Sequence, residues 1–334
     1  MPTSPLRFTV RAWAGMRSTT VELAAGVLRP VDVAPSHAGR NGPVLPGTIS
    51  AGIADRHVHL GLVDRDRLAA STVVAVDDLG WLPGEAAAWR NTPPDGVAVR
   101  IAGPFLAPPH GYPSGRSWAP AGSVREEADA TAAEAAVAEL TALRAVVAKV
   151  TLHAGFPDFA PGVLEALVRA AHAAGLLVVA HVEGRGRVER ALDARVDALA
   201  HVPWTERLPD PLVAELARRT TWISTLDLHR GLAHRRALGN ARRFVAAGGR
   251  LRYGTDMGNG PTPVGVNRRE ILALGRAGLA GAGLLAALVL ESPGALPVGA
   301  AVWSARPMPE DAEGVADWFA SARRFRPEDL EEPR

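Results

Sequence analysis

The chain has 334 residues, ten histidines, no cysteine and a formal net charge of +2. Zero cysteines exclude disulfides, thiolate metal sites and cysteine nucleophiles. So small a charge, with no basic stripe, implies no nucleic-acid partner. A hydrophobic fraction of 47% with 22% charged residues is that of a globular chain. The most apolar stretch, 279–290, contains glycines and is too short to span a bilayer. With no signal peptide evident and no membrane partner implied, the expectation is a cytoplasmic protein acting on a small molecule; oligomeric state is not legible. Of the 37 basic residues all but Lys149 are arginine. A guanidinium stays protonated, whereas an amine can become neutral and nucleophilic, so the one lysine asks whether position 149 needs an amine.

In chain order, residues 1–50 show short alternating runs such as Leu6-Arg7-Phe8-Thr9-Val10, punctuated by glycine and proline, which predict a small β-rich segment. From Gly52 the rhythm changes to apolar runs separated by helical stretches. Strands are predicted at 52–59, 72–77, 97–103, 146–152, 176–181, 198–201, 221–226 and 251–256. A helix over 123–144 is predicted from Ser123-Val124-Arg125-Glu126, which has the form of a capping box. Another is predicted between Pro161 and Gly175. Eight apolar strands alternating with helices predict an α/β fold, a (β/α)₈ TIM barrel over 51–296. The β-rich N-terminal segment would form a side domain, joined by a C-terminal strand at 298–305 and an acidic tail within 297–334. A doubly wound sheet is the competitor, but no glycine-rich nucleotide turn follows the first strand.

A barrel of this kind carries its chemistry at the C-terminal ends of its strands. The first strand ends His57-Val58-His59, and the strand period of two puts both imidazoles on one face, where they can grip one ion. Chance supplies about 0.3 such pairs in a chain with this many histidines, so the pair alone is a weak signal. The fourth strand carries Lys149; the fifth ends at His181, the sixth at His201, the eighth at Asp256. Each of these alone reads as a satisfied core residue, but five strand ends bearing metal-capable side chains form a specific set. A last lysine placed at random falls within three residues of the fourth strand's end with a chance of roughly 1%.

The runs PGTISAGIADRHVHLG, AKVTLHAG, AAHAAGLLVVAHVEG, VDALAHVPW and RYGTDMGN, in this order, resemble the amidohydrolase superfamily. The resemblance is to its binuclear branch, and most to the prolidase and imidazolonepropionase-like members, over about residues 44 to 295. It implies two divalent metal ions, with zinc first and manganese or iron also suited to such ligands. His57, His59 and Asp256 would hold the more buried ion and His181 and His201 the more exposed one. Lys149, carboxylated by carbon dioxide, would bridge them. It further implies hydrolysis of an amide-type C–N bond in an N-acyl compound, a dipeptide or a cyclic amide, with Asp256 as catalytic acid–base. The chemistry is consistent: burial lowers a lysine's pKa and supplies the neutral amine that adds carbon dioxide, and paired ions acidify water.

The long, proline-rich loop at 103–116 offers His110, Tyr112 and Arg116 as substrate-binding candidates, and His229 after the seventh strand is a fourth. His153, after the fourth strand, could also reach substrate. His172, inside Ala-Ala-His-Ala-Ala, reads as surface or packing. Asp77 and Asp78 end the second strand and could orient a ligand imidazole. Glu183 keeps open a mononuclear deaminase in which it shuttles protons and Lys149 is unmodified. Lactonase or phosphotriesterase chemistry suits the same site. A non-catalytic binding barrel is disfavoured, since a full ligand set with a carboxylate base has no purpose in simple binding. Family members close their side domain with several C-terminal strands, whereas 297–334 promises one, so a reduced side domain is expected.

Overall fold

A computed structural model describes residues 6–13, 16–31, 44–291 and 294–330. The alternating N-terminal runs form β1 (Leu6–Trp13), β2 (Met16–Ala24), β3 (Val27–Val31) and β4 (Val44–Ala51). Next come β5 (Ile53–Val58), α1 (Arg65–Ala69), β6 (Val73–Asp78), α2 (Pro83–Asn91) and β7 (Ala98–Ile101). Two short strands, β8 (Phe105–Ala107) and β9 (Val124–Glu126), precede α3 (Ala130–Ala142). The alternation resumes with β10 (Val147–His153), α4 (Val163–Ala173), β11 (Leu177–Glu183), α5 (Arg187–Asp193) and β12 (Ala198–Leu199). It continues through α6 (Asp210–Arg219), β13 (Thr221–Ile223), α7 (Gly231–Ala246) and β14 (Arg250–Arg252). The chain then runs through α8 (Arg268–Arg276), α9 (Gly281–Leu288), β15 (Leu296–Pro297), β16 (Ala301–Ser304), α10 (Ala312–Ser321) and β17 (Arg323–Arg324).

The architecture is a (β/α)₈ barrel with a β-rich side sheet. All eight expected barrel strands are present as β5, β6, β7 and β10 to β14; β6 is buried throughout and β10 nearly so, whereas β7 and β14 expose alternate residues. The third strand is split. Gly103 takes φ +78 and Pro104 has no N–H, so the extended run breaks there. Upstream of the break β7 pairs with β6; downstream, β8 pairs with β10. The ladders therefore form two arcs, β5-β6-β7 and β14-β13-β12-β11-β10-β8-β9. Isolated backbone hydrogen bonds bridge the seams: Val146 N to Ile101 O at 3.1 Å on one side, Arg56 N to Tyr253 O at 3.1 Å and His59 N to Met257 O at 2.8 Å on the other.

The side sheet has the order β15-β3-β2-β1-β4-β16-β17, so three short C-terminal strands join it where one was expected. Phe8, Val10, Val21, Leu28 and Ile49 fill its core. The expected strand at 298–305 is a single helical turn followed by β16. The expected tail contains α10, capped by Asp311 and burying Val315, Trp318 and Phe319; residues 331–334 lie outside the described residues. The capping-box reading of Ser123 and Glu126 is also corrected. Ser123 to Glu126 continue the sheet beside β8, and α3 starts later, with Asp129 accepting Ala132 N at 2.8 Å. The helix at α4 agrees with expectation, ending before Gly175 at φ +74.

One helix holds a loop at the barrel's upper end. Asn267 caps α8, and the buried Glu270 carboxylate accepts Leu226 N at 2.9 Å and Asp227 N at 2.6 Å from the segment after β13. Burial pushes the Glu270 carboxyl up from 4.5 to about 7. The fold therefore retains a proton here that the unfolded chain releases, and the stability it confers is full below the ordinary value and lost as pH rises through 7. Denaturation at pH 5 and pH 8 should show the native chain losing about 2–3 kcal/mol more than Glu270→Gln across that interval. Equal losses in the two proteins would contradict this.

Candidate metal centre

The alternation of strand side chains brings the six expected ligands to one end of the barrel. On β10 and β11 the register sets Thr151 beside His181, with Lys149 one inward step below. His57, His59, Lys149, His181, His201 and Asp256 all line a cavity of about 130 Å³ at the C-terminal ends of the strands. His57, His201 and Asp256 each present one ligand atom, all within 4.8 Å of one another.

Each side chain is fixed from behind. His57 Nδ1 donates to Ala200 O at 2.8 Å and His59 Nδ1 to Gly80 O at 3.1 Å, since a carbonyl can only accept. His201 Nδ1 lies 2.8 Å from Thr225 Oγ1. Asp256 sits at φ +56, a left-handed conformation, and its Oδ2 accepts Asn259 Nδ2 at 3.0 Å. Beneath it the buried Asp55 ties two strands together. It accepts His57 N at 3.1 Å, Thr255 N at 3.0 Å and the Thr255 hydroxyl at 2.5 Å, and burial raises its carboxyl to about 7.

These constraints test whether the residues fit a metal. Burial, and then the nearby Lys149, hold His57 well below the ordinary histidine value, so the ring is neutral and its one proton is on Nδ1. Its Nε2 lone pair faces Asp256 Oδ1 at 3.4 Å, and His59 Nε2 faces the same oxygen at 3.2 Å. Between His57 and Asp256, acceptor meets acceptor. Asp256 Oδ1 and His181 Nε2 are buried with no hydrogen-bond partner among the described residues. Burial of such atoms is costly unless something electropositive sits between them, and a divalent cation meets that need. Lys149 is 1% exposed and makes no ion pair among the described residues, and burial brings its amine down to about 7.

The substrate-binding candidates separate. Tyr112 lines the cavity and stacks on His181, ring centroids 4.9 Å apart. Arg116 lies over Phe156 at 5.0 Å and over Tyr112 at 5.8 Å, behind the wall. His229 stacks on the wall residue Trp204 at 4.5 Å, and burial lowers it to about 4. The structure does not bring His110 to the cavity; it is exposed at φ +58. Asp78 accepts Leu60 N at 2.8 Å and so anchors the chain after His59, whereas Asp77 faces the other end of the barrel and binds Arg100. Glu183 lies 3.4 Å from both His153 and His181. His172 bonds Asp197 at 2.9 Å.

The sequence reading passed over Trp118, Thr151, Trp204 and Asn259 in the lining and Thr225 behind it. Trp204 and Asn259 stand three residues after His201 and Asp256, a spacing that offered a signal; Trp118, deep in a long loop, offered none.

The structure superposes on solved hydrolases over nearly its whole length. Ochratoxinase of A. niger matches with a TM-score of 0.71 at 16% identity, covering 96% of this chain and 93% of that one. Phenylurea hydrolase B matches with a TM-score of 0.69 at 14% identity, covering 94% of each. A Xaa-Pro dipeptidase with methionine bound in its active site matches with a TM-score of 0.67 at 16% identity, covering 85% and 87%. The fold is the one that these solved hydrolases share. No family model and no curated protein matches the sequence. Among the described residues no helix is long and apolar enough to cross a membrane.

The Thr225 hydroxyl behind His201 yields a direct check. Thr225→Val keeps the shape and removes the partner of Nδ1, and should weaken metal affinity about 10–100-fold in competition with a chelator while leaving the melting curve of the metal-free protein close to native. Unchanged affinity would remove Thr225 from the centre.

Proposed function

We propose that the chain is a metal-dependent hydrolase that cleaves an amide-type C–N bond of a small molecule. The observation that carries this reading is the convergence of His57 Nε2, His59 Nε2 and Asp256 Oδ1 on one point, beside a buried lysine without a carboxylate partner. His57, His59 and Asp256 would hold one ion, His181 and His201 a second, and Lys149, as a carbamate, would bridge both. Zinc is the first choice, with manganese or iron compatible with the same ligands. When bound, such ions supply a water of lowered pKa and polarise the carbonyl.

The chain's own groups account for the proton traffic. The Asp256 carboxylate, fixed through Oδ2 by Asn259, would accept the proton of the attacking water. The water oxygen adds to the carbonyl carbon, the C–N bond breaks, and Asp256 returns the proton to the departing nitrogen, leaving an acid and an amine. Tyr112, Trp118 and Trp204 wall the cavity and hold bulk water off the reacting bond. N-acyl compounds, dipeptides and cyclic amides remain the substrate classes, and a lactone or phosphotriester could be attacked in the same way. The likeness to hydrolases of amides and ureas favours nitrogen as the leaving atom.

Glu183 lines the cavity, which supports a deaminase as the second reading. Against it, the close approach of His181, 3.4 Å away, holds the Glu183 carboxyl below its usual range and makes it a poor proton carrier. Lys149 separates the two. Protein purified without chelator should hold about two divalent ions per chain, and a mass search should find an added carboxyl group on Lys149. Lys149→Ala should lose activity across a panel of N-acyl amino acids, dipeptides, hydantoins and lactams, with partial return on adding short carboxylic acids. Fewer than about half an ion per chain sinks the binuclear reading, and undiminished activity of Lys149→Ala selects the deaminase.

A further inference from the structure

A second cavity, of about 410 Å³, opens at the opposite end of the barrel, where the strands begin. Along β11, Leu177 and Val179 face this lower cavity and His181 the upper one; along β10, Val147 faces the lower and Lys149 the upper. Its deep wall is apolar, formed by the buried Leu79, Val147, Val179 and Ile223. Its mouth carries four guanidiniums, Arg56, Arg100, Arg250 and Arg252.

The acids around them do not suffice. Asp77 is taken by Arg100 through two bonds of 2.6 and 2.5 Å, which leaves Arg56 at 3.8 Å from it. Glu291 is shared between Arg250 and Arg252. Asp197, the remaining acid, is occupied by His172 at 2.9 Å and Val178 N at 2.7 Å. The Arg56 side chain is only 13% exposed, lines the cavity, and has only the 3.8 Å approach to Asp77, with no hydrogen bond from its guanidinium among the described residues. Burial, then Arg250 and Arg56, lower Arg252 to about 10.

We propose that this lower cavity binds a small organic anion, with its phosphate or carboxylate head on Arg56, in the positive field of Arg250 and of Arg252, which Ala286 O and Glu291 hold in place, and its apolar body against Leu79, Val179 and Ile223. Guanidinium forks match either head in two-pronged fashion. The volume is that of a small-molecule site, and an apolar floor with a few converging polar groups is the usual make-up of one. The site is separate from the metal centre and does not rest on the hydrolase reading.

Phenyl phosphate and benzoate, each titrated by calorimetry into the intact protein at fixed ionic strength, test this. At least one should bind saturably, and the tighter of the two names the head group. Arg56→Gln should weaken binding about tenfold or more, as loss of a charge-assisted hydrogen bond predicts. Arg250→Gln alters a side chain 62% exposed, which leaves folding untouched, and should weaken binding several-fold. His181→Ala, in the upper cavity, should leave it unchanged. Binding that survives both arginine substitutions, binding lost with His181→Ala, or no saturable binding of either anion overturns the proposal.

Discussion

Two imidazole nitrogens and one carboxylate oxygen, converging on one point, set the terms for the upper half of this barrel. Left alone, buried acceptors would turn away from one another or draw in water. Here they cannot turn. His57 and His59 are held by backbone carbonyls through their opposite nitrogens, and Asp256 is held by Asn259 and by a left-handed backbone. The network beneath them, with Asp55 joining His57 to Thr255, makes the strain collective: no single side chain can relax without pulling its neighbours. A site that keeps repelling atoms at fixed distance is organised around what will come to lie between them.

The lumen has two ends with opposite shortages. At the C-terminal mouth lone pairs converge, beside a Lys149 amine that burial brings down to about 7. At the N-terminal mouth there are guanidiniums without enough carboxylate. An apolar layer of Leu79, Ala102, Val179, Ala200 and Ile223 keeps the two apart. Were the lumen filled through its length by branched side chains, as in most barrels of this kind, neither imbalance could persist.

Much of this was readable in advance. The barrel strands announce themselves because parallel strands are buried on both faces and read as unbroken apolar runs. The metal-capable residues stand at their ends, where chain order alone locates them. Lys149 stood out because arginine had replaced every other lysine. Other features depend on contacts that a linear pattern does not carry. Ser123-Val124-Arg125-Glu126 satisfies the form of a helix start, yet β8 lies alongside it and the ladder takes precedence over the cap. The apolar spacing of Val315, Trp318 and Phe319 is helical, but acidic and proline punctuation on either side masks it. Trp118 and Trp204 come from loops, which have no period to betray which way a side chain faces. The four lower arginines lie on three strands and become neighbours only through register.

The split third strand and the thin seam beside β5 have a mechanical meaning. His57 and His59 belong to the three-strand arc, while Lys149, His181, His201 and Asp256 belong to the seven-strand ladder or the turns that leave it. Between β5 and β14 the backbone contributes only scattered hydrogen bonds. An ion gripped by His57, His59 and Asp256 together would therefore act as a rivet across the join, so that closing the barrel and arming it become one event.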